Sequence, residues 1–194
     1  MPKQRITKEM VVDAAFEIAR TQGTEQIMVK NIASKLGCSV QPIYSYCNNM
    51  EGLYRDVEEK AACFIREYLS SHIDKDSLFQ STGHAYIQLA KEEPYIFRLF
   101  ILRKRESIHS LEDLYQNETN PQVAQFIAED LNISLSKATE LHLNMLIYTV
   151  GIGTILATAA SDISTQEIFK QQERAYAAFL EQALKSVEEN HDRK

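Results

Sequence analysis

A three-residue break separates two short helical patterns near the N-terminus of this 194-residue chain. Apolar residues recur at helical spacing over 29–36, and Gly37 follows where a left-handed residue commonly ends a helix. Ser39 is a typical N-cap, and Pro42 falls in the next first turn, where a missing N–H costs no hydrogen bond. The pattern therefore predicts two helices, 29–36 and 40–47, joined by a tight turn.

Two helices joined by such a glycine turn form a helix-turn-helix unit, whose second helix enters the DNA major groove. In the second helix Ile43 is the apolar anchor, while Gln41, Tyr44, Ser45 and Tyr46 present polar groups outward. Hydroxyl groups suit phosphate contacts, and a glutamine amide can pair with adenine. The alternative is a plain helix end at Gly37, followed by tyrosines that are half-buried surface aromatics.

The net charge of −6 appears unfavourable for a nucleic-acid partner, but the charge is unevenly distributed. Residues 1–60 hold eight Lys and Arg against eight Asp and Glu, whereas residues 61–194 hold thirteen against nineteen. The acidity therefore belongs to the later part of the chain, and the N-terminal part stays compatible with a polyanionic partner.

Helical spacing continues along the whole chain, and no period-2 stretch is long enough to indicate a strand. Thr7 is a plausible N-cap of a first helix that ends at Gly23. Further helices are predicted at 50–69, 77–92, 95–104, 108–116, 121–131, 135–160 and 166–188. Breaks fall at Pro94 and Pro121, and Ser134 or Ser136 caps the helix from 135. The predicted fold class is all-α.

The stretch VKNIASKLGCSVQPIYSYCNNMEGLYRDV resembles the DNA-binding head of the TetR family of bacterial transcriptional regulators. The matching positions are Ile32-Ala33, Leu36-Gly37, Ser39, Ile43-Tyr44, Tyr46, Asn49 and Leu53. The resemblance covers roughly residues 5–60 and extends back over the first helix. Met28, Cys47 and Met50 depart from the family pattern, and Met28 stands where a capping Thr or Ser is usual. Beyond this region only the arrangement of several helices ending in two long ones is similar.

The resemblance implies an N-terminal three-helix helix-turn-helix head, residues 1–49, on a C-terminal helical ligand-binding and dimerisation body, residues 50–194. The helix 50–69 would connect the two. Residues and resemblance together predict contacts with a double-stranded DNA operator from one set of side chains. They are Lys30, Ser39, Val40, Gln41, Pro42, Tyr44, Ser45, Tyr46 and Asn49. The implied function is a transcriptional regulator that binds a palindromic operator as a dimer and is released by a small ligand. Repression is favoured, and activation is the alternative.

Two glycines interrupt the most hydrophobic helix, and the last helix carries a wide apolar stripe. Glycine lets helix backbones approach closely, so a homodimer built from helices near 135–160 and 166–188 is expected. The predicted interface consists of Gly151, Gly153, Tyr176, Phe179, Leu180 and Ala183. A kink or a helix crossing within one subunit is the alternative explanation of the glycines.

Large apolar and aromatic residues of the body favour an unknown small-molecule effector of apolar or amphipathic character. The predicted pocket consists of Tyr86, Phe97, Phe100, His142, Met145 and Tyr148. Simple core packing is the alternative for each of these residues taken singly.

Other classes of site find no support in the sequence. The five histidines lack metal-ligand spacing, and no phosphate loop, nucleophile elbow or telling carboxylate pair occurs. We therefore expect no metal, no cofactor and no enzymatic activity. Cys38 and Cys47 flank the second helix and are either redox reporters or small buried thiols.

The expected location is the cytoplasm, without a membrane partner. Three cysteines fit a reducing compartment, no secretory signal is visible, and the apolar run 146–160 is shorter than the roughly twenty residues that span a bilayer. The rival functional class is an all-α interaction protein that keeps the helix-turn-helix shape but no longer binds DNA.

Overall fold

The computed structural model describes residues 6–46, 50–74, 77–105 and 107–185. Over these residues the chain forms ten α-helices, one short 3-10 turn and no β-strand, which confirms the all-α prediction. The helices are α1 (Lys8–Gln22), α2 (Val29–Leu36), α3 (Val40–Tyr46), α4 (Met50–His72), α5 (Leu78–Glu92), α6 (Pro94–Ile101), α7 (Leu111–Glu118), α8 (Pro121–Leu131), α9 (Leu135–Thr158) and α10 (Thr165–Lys185).

Several helices begin where the sequence supplies a cap. The Thr7 side chain accepts a hydrogen bond from the Met10 N–H at 3.2 Å, and Ser134 accepts from the Lys137 N–H at 3.4 Å. Ser134 rather than Ser136 is therefore the cap of α9. Pro94 and Pro121 each occupy the start of a helix, where no hydrogen bond is lost.

Several predicted helices have different limits in the structure, and two of them lie between Pro94 and Glu118. The helix predicted at 95–104 begins at Pro94 and ends at Ile101. The helix predicted at 108–116 begins at Leu111, because Ser110 is its N-cap and accepts from the Asp113 N–H at 3.0 Å. The prediction overlooked this capping serine.

The helices group into two compact units. The first unit contains residues 1–71 and 89–103, and the second contains 72–88 and 104–194. The first therefore holds α1, α2, α3, most of α4, all of α6 and the end of α5. Its largest fully buried side chains are Val11, Ile27, Ile32, Ile43, Leu53, Val57, Leu89, Ile96 and Phe97. The functional boundary at residues 49 and 50 stays a prediction.

In the second unit, α9 packs against both α8 and α10. Its core is a cluster formed by Tyr115, Ala124, Ile127, Ala138, Leu141 and Met145. Inside this unit the buried Gln172 amide donates to the Thr149 hydroxyl at 2.9 Å. A Cβ added at Gly83 would lie 2.5 Å from the Gln172 amide nitrogen, so glycine permits this close crossing.

Helix α9 is unusually apolar, with a mean hydropathy of 1.4 over an 18-residue window. Within the described residues it is the single helix whose length and composition would allow it to cross a membrane, a test that core helices also pass. Only 28% of that window is buried in the single chain, so much of the apolar surface of α9 lacks cover from its own protomer.

Candidate nucleic-acid interface

Helices α1, α2 and α3 pack against one another and hold the helix-turn-helix unit together. Gly37 ends α2 in the left-handed region, with φ of 64° and ψ of 31°. The Cys38 N–H donates to the Ala33 carbonyl at 3.0 Å, which closes the helix end in the expected way. Helix α3 has seven residues and buries one of them, Ile43, completely.

This anchoring leaves the opposite face of α3 open to solvent. Most of the residues predicted to contact DNA are exposed, namely Lys30, Ser39, Val40, Gln41, Tyr44 and Ser45, while Pro42 and Tyr46 are half-buried. Tyr44 is 63% exposed, so it is not half-buried as the alternative explanation expected. The Ser45 hydroxyl donates to the Gln41 carbonyl at 3.2 Å and keeps its acceptor capacity. Asn49 lies outside the described residues.

The start of α2 is held by contacts that the sequence did not reveal. Met28 is the N-cap and its side chain makes no capping hydrogen bond, as its departure from the TetR pattern suggested. The Asn31 amide instead donates to the Gln26 carbonyl at 2.9 Å. The Tyr54 hydroxyl of α4 donates to the Thr24 carbonyl at 3.3 Å, which ties the turn before α2 to the long helix.

The charges around this face suit a polyanion better than the zero net charge of residues 1–60 implies. Residues 26–50 contain no Asp or Glu, and Lys30 and Lys35 are exposed. In the part of the chain that the structure describes, neither lysine lies in an ion pair. A helix-turn-helix segment with two available cations and no carboxylate is suited to a polyanion.

Other cations of the first unit are engaged with carboxylates away from this segment. Lys8 lies 2.8 Å from Asp56, and Lys60 lies 2.7 Å from Asp13. The hydrogen bond to Asp13 raises the pKa of Lys60 above its ordinary value. These pairs neutralise carboxylates of α1 and α4, so those acidic groups oppose a polyanion less strongly.

A bidentate ion pair joins α1 to the start of α6. The Arg20 guanidinium donates through Nε to Glu93 at 2.9 Å and through Nη2 to the other carboxylate oxygen. It also lies 4.7 Å from the centre of the Phe64 ring of α4. The hydrogen bond to Glu93 raises the pKa of Arg20. Because Glu93 precedes the first residue of α6, the pair links three helices of the first unit.

The six predicted pocket residues fall in both units. Phe97, which is 1% exposed, and Phe100 belong to the first, whereas the second contains Tyr86, His142, Met145 and Tyr148. Phe100 is covered by Arg103, whose guanidinium lies 4.4 Å from its ring centre. None of the six lines the cleft on α10 beside Leu180 or the cleft beside Phe79 between α5, α8 and α10. Their role in binding therefore stays a prediction.

His142 has a defined partner inside the second unit. Its Nδ1 lies 2.8 Å from the Tyr115 hydroxyl, and its ring meets those of Phe79 and Tyr115 nearly edge-on. Burial lowers the pKa of His142 to about 4 from the ordinary 6.5. The imidazole is therefore neutral at physiological pH and acts there as a structural hydrogen-bond partner.

The residues predicted for the dimer interface divide into two groups. Tyr176, Phe179 and Leu180 pack against the core cluster of their own unit, and Ala183 and Gly153 are buried. Gly151 is exposed, and a Cβ added there would meet nothing within 4 Å. Sequence reasoning did not identify the exposed neighbours of Gly151 on the same side of α9, Ile147 and Ile155, which are 50% and 65% exposed. Contact of any of these residues with a partner stays a prediction.

The comparisons with known proteins are consistent with the helix-turn-helix geometry. No family model matches the sequence. The chain is 23% identical over 105 residues to YobS, an uncharacterized HTH-type transcriptional regulator of Bacillus subtilis (strain 168), a match covering 53% of this chain and 55% of the relative. The chain thus spans about half the length of that curated relative.

The fold has a counterpart among solved structures. A transcriptional regulator from Rhodococcus sp. Rha1 aligns with a TM-score of 0.58 and 11% identity, covering 91% of this chain and 97% of that protein. At this identity the likeness concerns the fold alone. The chain is therefore similar in sequence to an HTH-type transcriptional regulator and similar in fold to another regulator.

Proposed function

We propose that this protein is a TetR-like transcriptional regulator that binds duplex DNA through α3 and acts as a repressor. The observation that carries the proposal is the exposed, carboxylate-free face of α3, fixed from behind by Ile43 and oriented by the left-handed Gly37. A short rigid helix with outward amide and hydroxyl groups is the form of a recognition helix. The sequence similarity to YobS, an HTH-type transcriptional regulator, supports the same function.

The roles of the side chains follow from their chemistry. Gln41 would read an adenine edge through its amide, and Tyr44 would donate its hydroxyl proton to a phosphate. Ser45 would do so only after its proton leaves the Gln41 carbonyl. Lys30 and Lys35 would displace counterions from the backbone, so affinity should fall as salt rises. Two such heads on a two-fold dimer would bind half-sites of a palindromic operator in successive major grooves, about 34–36 Å apart.

The proposed dimer surface is the uncovered face of α9 and α10. Ile147, Gly151 and Ile155 recur every four residues on α9, so they lie on one side of the helix. On α10 a shallow cleft of about 310 Å³ is lined by Ala177, Leu180, Glu181, Leu184 and Lys185. Apolar side chains exposed to this degree on two long helices are typical of a surface that a second copy covers.

The proposed effector is a small apolar or amphipathic molecule that binds the body and releases the operator. A route to the head is available, because Arg20 and Glu93 couple α1 directly to α6. A ligand that shifts α6 would act on the recognition helix through this ion pair and α1, and DNA and ligand would weaken each other's binding by the same factor. If Phe97→Ala and Tyr148→Ala both leave the effector's affinity unchanged, the predicted pocket is misplaced.

DNA binding is tested by selecting fragments from a random duplex pool and measuring affinity against salt. Tyr44→Phe should weaken binding to all sequences, and Gln41→Ala should also relax the base preference, by about 1–3 kcal/mol at the position read. Tyr95→Phe on α6 is a matched control that removes a hydroxyl elsewhere in the same unit. Equal affinity of wild type and Tyr44→Ala for selected and random DNA would refute the proposal and favour the interaction-protein alternative.

Assembly is tested with two glycine variants that differ in their surroundings. A leucine side chain at position 151 has room within the protomer. Gly151→Leu should therefore overpack only the proposed dimer surface and give monomers of unchanged helicity. Gly153→Leu should disrupt the protomer itself, because Gly153 is buried. Sedimentation and circular dichroism separate the two outcomes. A Gly151→Leu protein that remains dimeric and keeps its DNA affinity would locate the seam elsewhere.

A further inference from the structure

A cleft in the second unit has a lining that differs from the predicted apolar pocket. It has a volume of about 300 Å³, in the range of small-molecule sites, and lies between the first turn of α5, the last turns of α8 and one residue of α10. Its lining includes Phe79 from α5, Phe126, Ile127 and Asp130 from α8, and Tyr176 from α10.

The aromatic walls of the cleft are held in place from behind. The Phe79 ring lies 5.7 Å from the Tyr176 ring and 5.6 Å from the His142 ring, centre to centre. Ile127 is 2% exposed and forms part of the unit's core. The floor is therefore preorganised, and a ligand would not have to order these side chains on binding.

The rim carries an aromatic ring and a carboxylate on one helical face. Phe126 is 44% exposed, and Asp130 follows four residues later, one turn along α8. Within the described part of the chain, no cation pairs with Asp130. Burial, and secondarily the Asp130 carboxylate, raises the pKa of Tyr176, so the field of the carboxylate reaches the phenol at the edge of the cleft.

The helix ends around the cleft add to its negative character. Asp130 lies in the last turn of α8, where the carbonyl groups carry partial negative charge, and this turn contains no basic residue. The positive N-terminal end of α5 opposes this effect. That end already faces the Asp74 carboxylate, which accepts a hydrogen bond from the Ser77 hydroxyl at 3.2 Å.

We propose that this cleft binds a small organic cation, a substituted ammonium group that carries an apolar or aromatic moiety. The ammonium lies between Asp130 and the rings of Phe126 and Tyr176, and the apolar moiety rests on Phe79 and Ile127. Cations are attracted to aromatic faces and to a carboxylate at the same time, whereas a neutral ligand gains nothing from the charge and an anion is repelled. A bare metal ion lacks ligands here, because the described residues contain no group of three potential metal-binding side chains.

This inference does not depend on DNA binding, so it is tested with the full chain in the absence of DNA. Calorimetric titrations at low salt compare benzyltrimethylammonium with two molecules of similar shape, its neutral carbon isostere neopentylbenzene and the anion phenylacetate. The cation should bind more tightly than the isostere, and phenylacetate should not compete. Raising the salt concentration should weaken binding of the cation.

Variants at the exposed rim locate the site without threatening the fold. Asp130→Asn should weaken binding of the cation by roughly two- to fivefold, the range of an exposed ion pair, and Asp130→Glu should restore part of it. Phe126→Ala should cost a similar factor of roughly two to five through the lost cation–π contact. Glu129→Gln is the matched control, because it removes the neighbouring carboxylate, which bonds Gln125 rather than lining the cleft.

Three results would overturn the proposal. They are no binding of benzyltrimethylammonium to the wild-type chain, equal affinity for neopentylbenzene, and affinities of Asp130→Asn and Phe126→Ala that match the wild type. Circular dichroism of each variant confirms that it retains its helices. Loss of operator binding in a separate assay would bear on the proposed function and leave this inference untouched.

Discussion

Lowering the pH should destabilise this protein in part through one partly buried histidine, His142. Its pKa is lowered to about 4 by burial, against the ordinary 6.5 in an unfolded chain. As the pH falls below 6.5, the unfolded chain takes up a proton at this residue while the folded chain does not. The free energy of unfolding therefore decreases as pH falls from 6.5 to about 4, and this contribution is constant below that range.

The size of the effect follows from the two pKa values. A difference of this magnitude corresponds to about 3 kcal/mol across the interval, as an upper value for a side chain that is not fully buried. That is a large share of the 5–15 kcal/mol that typically stabilises a domain. The structural cause is the apolar and aromatic surroundings, since the ring lies against Phe79 and Tyr115 and bonds the Tyr115 hydroxyl.

The measurement is urea unfolding at fixed protein concentration between pH 7.5 and 4.5, for the wild type and His142→Asn. Asparagine keeps an acceptor for the Tyr115 hydroxyl and does not titrate, and all other titrating groups, including His84, are common to both proteins. The difference between the two curves isolates His142. Parallel curves over the whole range, or an NMR titration of this imidazole near 6.5, would show that its burial does not control the stability.

The core of the head and the crossing at Gly83 give two further predictions. Ile43→Ala should lower the free energy of unfolding by about 2–5 kcal/mol and abolish DNA binding. Val40→Ala is the control at a 44% exposed position, and it should lower the free energy of unfolding far less. Thermal melting of both variants measures the difference. Gly83→Ala should displace the Gln172 amide and break its hydrogen bond to Thr149, which lowers the free energy of unfolding by about 1 kcal/mol. In a Gln172→Ala background the same substitution should stabilise α5, because alanine favours helix more than glycine does. A double-mutant cycle in which Gly83→Ala has the same effect in both backgrounds would contradict the crossing described above.

Short-range signals made the head predictable. Capping residues, the glycine turn and the position of a proline all act within a few residues, so α2 was predicted with its observed limits and α3 with its observed start. The same logic failed at α7, where Ser110 was overlooked as a cap. The long connecting helix also runs further than expected, to His72. Ser70 and Ser71 follow the predicted end, and serine favours helix ends, but the helix continues through both residues.

Contacts between distant parts of the chain could not be predicted from local pattern. Arg20 and Glu93 are 73 residues apart, and Tyr115 and His142 are 27 apart. Neither pair can be recognised from a regular sequence spacing of its two residues or from the local composition around them. The aromatic and acidic lining of the cleft is likewise assembled from three helices. An apolar stripe on α10 was visible in the sequence, but a stripe does not reveal which surface covers it, and Phe179 packs within its own protomer.

We propose that a second copy of the chain covers the exposed side of α9. The N-terminal turns of the helix contain Lys137 and Glu140, and the Lys137 ammonium donates to the Ala183 carbonyl of α10 at 2.6 Å, which ties that end to its own protomer. Length and composition would allow α9 to cross a membrane, but the core helix of a protein passes the same test. Ala138, Leu141 and Met145 of α9 already lie in the core cluster of their own unit, as expected for a core helix. A two-fold dimer would cover the exposed stripe with the same stripe of the second chain, and it would present two recognition helices, as a palindromic operator requires.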